Sequence, residues 1–75
     1  MKREVIDLLN EFEGTIQVSD LDILIKSTRV DYLHLDNAGD IEFWAGNPDD
    51  DDYAEELLLN DEQENDVYIT VLKYF

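Results

Sequence analysis

The side chains that could do chemistry in this chain are one histidine and twenty carboxylates, and there is no cysteine. A general acid–base pair needs a titratable group held beside a partner in a pocket. His34 would have Glu42 opposite it if the two residues lie on paired strands, although an exposed cross-strand contact is the strongly favoured explanation of such a pair. No phosphate-binding glycine loop, nucleophile elbow or zinc motif is present. We therefore expect no catalytic residue and no enzyme activity.

Two oxygen-rich segments, Asp36–Asp40 and Asp49–Asp52, have ligands of the type that Ca²⁺ or Mg²⁺ prefers. An EF-hand loop alternates its oxygen ligands, then places a glycine and a distant glutamate, and neither segment fits. The first segment is typical of a hairpin turn, and the second could bind divalent ions weakly without a defined site. We expect no resident metal and no cofactor, and a calcium-responsive module is the third and least favoured functional hypothesis.

The carboxylates are concentrated in one part of the chain. From Val30 to Leu72 there are fourteen Asp and Glu and no Lys or Arg, so this stretch accounts for nearly all of the net charge of −15. A small domain works well at a net charge of magnitude about 2–8, and excess like charge opposes compaction. Such a surface repels nucleic acid and anionic membranes and attracts cationic proteins. We expect a basic protein as the partner.

The elements that must position these residues are those of one α+β domain over residues 1–75, with a mostly antiparallel sheet of four or five strands. Apolar residues at helical spacing predict a helix over 2–13, ended by Gly14. A strand is expected over 15–19. The segment 20–28 begins with a pattern that resembles a helix cap. Its apolar and polar residues then alternate, which is typical of a strand. A strand is slightly favoured over a short helix.

The clearest structural signal is a hairpin over residues 30–45. The segment Asp36–Asp40 is turn-forming, and Gly39 can adopt the left-handed conformation of a three-residue loop. If Asp36 faces Asp40, one face of the hairpin is wholly aliphatic and aromatic, and the other holds an aromatic pair beside a His–Glu pair. The predicted cross-strand pairs are Leu35 with Ile41, His34 with Glu42, Leu33 with Phe43, and Tyr32 with Trp44.

The last third of the chain predicts a second, short acidic helix and a final strand. Tyr53, Ala54, Leu57 and Leu58 have helical spacing within 49–66, with aspartates at the N-terminal end, and 61–65 reads as a solvated loop. Residues 66–75 alternate and predict a central strand. Four aromatic residues would then share the second sheet face, either as an exposed patch or as a second core layer: Tyr32, Trp44, Tyr68 and Tyr74.

Carboxylates two apart on a strand, or four apart on a helix, are separated by about 6–7 Å, which is close to the spacing of phosphates along a nucleic-acid strand. In size, lack of cysteine, α+β pattern and concentrated acid, the chain resembles the acidic DNA-mimic inhibitors of phages and mobile elements, such as anti-restriction, anti-CRISPR and uracil-DNA glycosylase inhibitor proteins. The resemblance is one of composition and assigns no residue a role.

The favoured hypothesis is a non-enzymatic DNA or RNA mimic that blocks the basic nucleic-acid site of a host nuclease or CRISPR effector. An immunity protein or antitoxin against a basic nuclease toxin is the alternative, and a charge that serves only solubility is another. A cytoplasmic location is expected, because no signal peptide or membrane span is recognisable. The candidate partner-binding residues are Tyr32, Asp36, Asp40, Glu42, Trp44, Asp49, Asp50, Asp51, Asp52, Glu55 and Glu56.

Overall fold

Two helices pack against one face of a four-stranded antiparallel sheet in the computed structural model, which describes residues 1–75. The elements are α1 (Lys2–Glu11), β1 (Thr15–Gln17), a 3-10 turn (Ser19–Leu21), β2 (Leu24–Ile25), β3 (Thr28–Arg29), β4 (Tyr32–Leu35), β5 (Ile41–Ala45), β6 (Glu55–Leu57) and α2 (Asp61–Tyr74). The strand order is β1-β4-β5-β6, and β2 and β3 form a separate hairpin. The predicted α+β class, N-terminal helix and sheet size are confirmed.

One layer of apolar side chains joins the helices to the sheet. Leu33 and Phe43 are cross-strand neighbours whose side chains point to the same side, and the ring of Phe43 lies 5.8 Å from that of Tyr68 on α2. No polar or charged residue is buried. The fully or nearly fully buried residues are Val5, Leu9, Ile16, Val18, Ile23, Val30, Leu33, Ile41, Phe43, Val67, Tyr68 and Val71.

The β4–β5 hairpin has the predicted register at every pair, from Tyr32 opposite Trp44 to Leu35 opposite Ile41. Its turn is closed by the backbone N–H of Asp36, which donates to the carbonyl of Asp40 at 2.8 Å. One carboxylate oxygen of Asp36 accepts from the N–H groups of Ala38 and Asp40, each at 2.9 Å. Gly39 has φ +85°, as the loop requires. The first oxygen-rich segment is therefore a hairpin turn held by its own aspartate.

The ambiguous segment 20–28 is neither a continuous strand nor an α-helix. It starts within the 3-10 turn and then forms the small β2–β3 hairpin, in which Ile25 pairs with Thr28. The two residues between them, Lys26 and Ser27, both have positive φ, at 51° and 69°. Mirror-image turns of this kind match the twist of the flanking strands, although glycine and asparagine are the usual residues there.

A second helix with acidic residues in its first turn is present, but not where the sequence predicts it: residues 53–58 are not helical. The chain turns through residues 47–54 and then forms the edge strand β6. Asp51 explains part of this, because its carboxylate accepts from the N–H of Tyr53 at 2.9 Å and so competes with helical hydrogen bonding. A helix would also place Asp51 near Glu55 and Asp52 near Glu56, and like charges four residues apart repel.

The predicted loop over 61–65 and the predicted central strand over 66–75 are also wrong, because these residues form α2. Asn60 begins the helix: its side-chain oxygen accepts from the N–H of Gln63 at 2.8 Å, and the Gln63 side chain accepts from the N–H of Asn60 at 3.0 Å. This reciprocal pair is a capping box. Tyr68 therefore lies in the core and Tyr74 on an exposed helix surface, so the predicted four-residue aromatic face does not form.

Candidate acidic protein-binding surface

The sheet face turned away from the helices is not covered by either of them. Side chains alternate along a strand, so the residues next to buried Leu33 and Phe43 point to the opposite side. We call this side the open face; it contains Thr15, Gln17, Tyr32, His34, Glu42, Trp44 and Glu56. The central residues are half-buried by their neighbours, whereas Gln17 and Glu56 at the two edges are exposed.

An aromatic pair lies at the centre of the open face. Tyr32 is directly opposite Trp44, and Trp44 is directly opposite Glu56 on the next strand. The indole Nε1 of Trp44 donates to a carboxylate oxygen of Glu42 at 3.2 Å. Trp and Tyr are the residues enriched at the centres of protein-binding sites. The face thus combines two aromatic side chains with carboxylates on both sides of them.

His34 lies opposite Glu42, as the sequence predicts, but it hydrogen bonds to a different neighbour. Its Nδ1 is 2.7 Å from the hydroxyl oxygen of Thr15 on β1. The bond joins an edge strand to a central strand across the open face. It gives His34 a positioning role within the sheet, and Glu42 bonds instead to the indole of Trp44.

The four consecutive aspartates belong to a turn, which we call the acidic turn (46–54). Its carboxylates have two different roles. Asp50 accepts from the side-chain amide of Asn47 at 3.1 Å, and Asp51 accepts from the N–H of Tyr53. The side chains of Asp49 and Asp52 make no hydrogen bond and are exposed. Two of the four carboxylates therefore shape the turn, and two remain available to a partner.

Gly46 allows the acidic turn to fold back on itself. Its φ is +84°, and a Cβ atom there would lie 2.8 Å from a carboxylate oxygen of Asp51 and 3.3 Å from the Cα of Ala54. Only glycine combines this conformation with so close an approach. The N–H of Gly46 donates at 2.7 Å to the carboxylate of Asp31.

Asp31 is a residue that sequence analysis did not select. Its carboxylate accepts from Gly46 and, at 2.6 Å, from the Nε of Arg29, so it joins β3, β4 and the acidic turn. Burial raises the pKa of this carboxyl, but the hydrogen bonds from Gly46 and Arg29 outweigh burial and hold the pKa below its usual value. The only signal in the sequence is the basic residue two positions before it; the contact with Gly46 is long-range.

The acids of the base-free stretch are largely without basic neighbours. Asp31 is paired with Arg29, and Asp40 lies 3.6 Å from the Nζ of Lys2. The remaining twelve of the fourteen acids between Val30 and Leu72 form no ion pair. Their charge is therefore not neutralised within the protein.

The structure separates the predicted residues into two groups with the aromatic pair between them. Asp36 and Asp40 are at the hairpin turn, whereas Asp49–Asp52 lie beyond the other end of β5. Five residues of strand correspond to about 17 Å. Glu55 and Glu56 follow the acidic turn on β6, and Glu42 lies beside Trp44. The spacing expected for carboxylates on a helix does not apply to 49–58, because that helix is absent.

The surface has no pocket, and no three His, Asp or Glu side chains are grouped to hold a metal ion. Neither helix has the length and apolar character needed to cross a membrane. The fold and surface define a small, strongly acidic α+β domain with one sheet face left uncovered. Comparison with protein-family models, curated proteins and solved structures finds no match to the chain.

Proposed function

We propose that this protein is a non-enzymatic inhibitor that mimics nucleic acid and occupies the basic binding site of a nucleic-acid enzyme, such as a host nuclease or CRISPR effector. Its place of action is the cytoplasm, where such enzymes meet DNA and RNA. The partner is a basic protein, and the inhibitor does not bind nucleic acid or membranes. The role is one of binding, so no catalytic residue, cofactor or metal is assigned.

The observation that carries the proposal is the set of twelve acids that are fixed on an ordered fold without neutralising partners. Carboxylates whose only role is to keep a protein soluble can lie on a flexible tail. Here Glu42 and Glu56 project from paired strands, and the acidic turn is fixed by Gly46 and Asp31. A fixed array of negative charge attracts a Lys- and Arg-lined groove and speeds association with it.

The aromatic pair favours a second candidate, an immunity protein or antitoxin against a basic nuclease toxin. A phosphate mimic needs carboxylates alone, whereas an interface with one cognate toxin gains affinity from buried aromatic anchors. Tyr32 and Trp44 are placed to supply such anchors. Both candidates predict binding to a basic enzyme, and they differ in whether replacing the aromatic pair or the carboxylates weakens binding more.

The first experiment is capture followed by competition. The immobilised protein is exposed to lysate, and bound proteins are released either with duplex DNA or with NaCl of matched ionic strength. The proposal expects DNA to release a nucleic-acid enzyme that matched NaCl leaves bound. Affinity for that purified enzyme is expected to fall at least tenfold between about 50 and 200 mM salt, as it does for phosphate-binding surfaces.

A matched pair of charge variants tests which carboxylates matter. One variant replaces Asp49, Asp52, Glu55 and Glu56 with their amides, and the control replaces Glu11, Glu13, Asp20 and Asp22. All eight residues are exposed and each variant loses four charges. We expect the first variant to lose at least tenfold more affinity than the control. Equal losses, or an enzyme that DNA does not displace, would refute nucleic-acid mimicry.

A further inference from the structure

The outer edge of β6 is a free sheet edge within the acidic surface. β6 pairs with β5 and with no other strand, so its other side has no backbone partner in the sheet. Unpaired strand edges are the places where an extended segment of another protein can add as a further strand. Such addition uses main-chain hydrogen bonds, with side chains giving specificity.

The ladder pattern shows which backbone groups of β6 face outward. In an antiparallel ladder, alternate residues turn their N–H and C=O groups toward opposite neighbours. The backbone carbonyls of Trp44 and Asp40 accept hydrogen bonds from the β4 side. The backbone groups of the alternate residues Phe43 and Ala45 therefore face β6. These pair with Leu57 and Glu55. The N–H and C=O of Glu56 therefore point away from the sheet.

Two large apolar residues flank this edge and are almost wholly exposed. Tyr53 precedes β6 and is 93 % exposed, and Leu58 follows it and is 91 % exposed. They are the most exposed large hydrophobic side chains in the protein. A strand laid along β6 would run past both of them and remove apolar surface from water.

Charge decides what can occupy the edge. Glu55 and Glu56 lie on β6, and Asp49 and Asp52 are exposed in the acidic turn beside it. A second copy would bring the same carboxylates opposite these, and like charges directly across a strand pair are destabilising. A strand with Lys or Arg at alternate positions would place cations opposite Glu56, on the same side as Trp44. The other edge strand, β1, has no acidic residue.

We infer that β6 docks an extended, Lys- or Arg-bearing segment of the target by strand addition at Glu56. The inference rests on the proposed function and specifies how the basic partner is held. The incoming segment pairs its backbone with the outward N–H and C=O of Glu56. Its basic side chains on one face meet Glu56, and its flanks cover Tyr53 and Leu58.

The test uses a fluorescently labelled peptide in which lysine alternates with threonine, and the same peptide N-methylated at every backbone amide. The two peptides have equal charge, but the second cannot donate main-chain hydrogen bonds. By fluorescence polarisation, we expect the unmodified peptide to bind at least tenfold more tightly. Its binding should also slow hydrogen exchange at the Glu56 amide at least tenfold, as measured by NMR.

Two substitutions at one position separate the backbone from the charge. Glu56→Gln keeps the outward N–H and should weaken binding only about two- to fivefold. Glu56→Pro removes the N–H while leaving the bonds that Glu55 and Leu57 make to β5, and should reduce binding of the unmodified peptide to that of the methylated one. A circular dichroism spectrum establishes that each variant is folded. The methylated peptide also tests the loss of main-chain hydrogen bonds, and it does so without any change in the protein.

Several outcomes would overturn strand addition. Equal, salt-dependent binding of both peptides, with no slowing of hydrogen exchange at the Glu56 amide, would show only a diffuse acidic surface. The proposed function would stand in that case, because DNA competition tests it separately. Binding of neither peptide would also refute the edge site. A dimer in sedimentation at high salt that Glu56→Pro abolishes would show that β6 accepts a second copy.

Discussion

The carboxylate of Asp31 offers the sharpest test of how the acidic turn is held, through the substitution Asp31→Asn. The side chain is only 15 % exposed and accepts from Gly46 and Arg29. A hydrogen bond to a charged group contributes about 1.5–3 kcal/mol, but Arg29 is half exposed, so its pairing adds less than about 1 kcal/mol. Asparagine keeps one oxygen acceptor and presents its NH₂ to another donor. We expect a loss of about 2 kcal/mol, a large part of the roughly 4–11 kcal/mol typical of 75 residues.

The pH dependence of this loss follows from the lowered pKa of Asp31. An acid whose pKa is lower in the folded than in the unfolded protein adds stability above its unfolded pKa of about 3.9. That stability disappears as the pH falls through the lower, folded pKa. The difference between wild type and Asp31→Asn should therefore be constant from pH 7 to about 4.5 and shrink below about pH 4.

Urea denaturation at a series of pH values measures this difference. Only the difference between the two proteins reports Asp31, because the other acids are common to both. Asp20→Asn is the control: Asp20 is exposed, and its substitution should change the free energy of unfolding by no more than about 0.5 kcal/mol. A negligible difference at pH 7, or one that persists undiminished at pH 2.5, would show that the Asp31 carboxylate does not hold the turn.

Three further substitutions test the core, the acidic turn and the second helix by urea denaturation. Leu33→Ala, at a fully buried position, should cost about 2–5 kcal/mol, whereas Leu24→Ala, at a 63 % exposed position, should stay within about 0.5 kcal/mol; similar losses would place Leu33 outside the core. Gly46→Ala should cost about 1–3 kcal/mol, because the left-handed conformation and the close approach of the Ala54 backbone both oppose a Cβ, and a neutral result would contradict the folded-back turn. Asn60→Ala should cost about 1 kcal/mol and reduce helical circular dichroism, and an unchanged spectrum would argue against the cap.

The β4–β5 hairpin could be predicted in detail because several independent signals agree there. Its alternation places aliphatic residues and Phe43 on one face and the pairs Tyr32–Trp44 and His34–Glu42 on the other, and Gly39 lies where the loop needs positive φ. A register shift of one residue would exchange the faces. The same reasoning predicted that Tyr32, His34, Glu42 and Trp44 share a face, so the centre of the candidate surface was accessible from sequence.

The last third of the chain misled sequence analysis because its local patterns conflict. Val67, Ile69 and Val71 alternate and are β-branched, which favours a strand, yet Val67 and Val71 also lie one helical turn apart and are buried in α2. The capping box of Asn60 and Gln63 starts that helix. Asparagine and glutamine next to acidic residues also suit a solvated loop, so the local pattern does not single out the cap.

The arrangement of the acidic turn depends on contacts that no local pattern contains. Tyr53, Ala54 and Leu57 have helical spacing, but Asp51 bonds to the backbone of Tyr53 and the chain folds back over Gly46. The bond from Gly46 to Asp31 spans fifteen residues. The position of these aspartates relative to the sheet therefore could not be predicted from local sequence patterns.

Trp44 makes the open face observable without a label. It is the only tryptophan in the chain, and its indole lies at the centre of that face with its N–H bonded to Glu42. Indole emission responds to the polarity and hydrogen bonding around the ring, so a ligand seated on the open face should shift the spectrum, whereas one bound on the helix side should not. The protein thus contains an intrinsic optical probe at the site where its partner is proposed to bind.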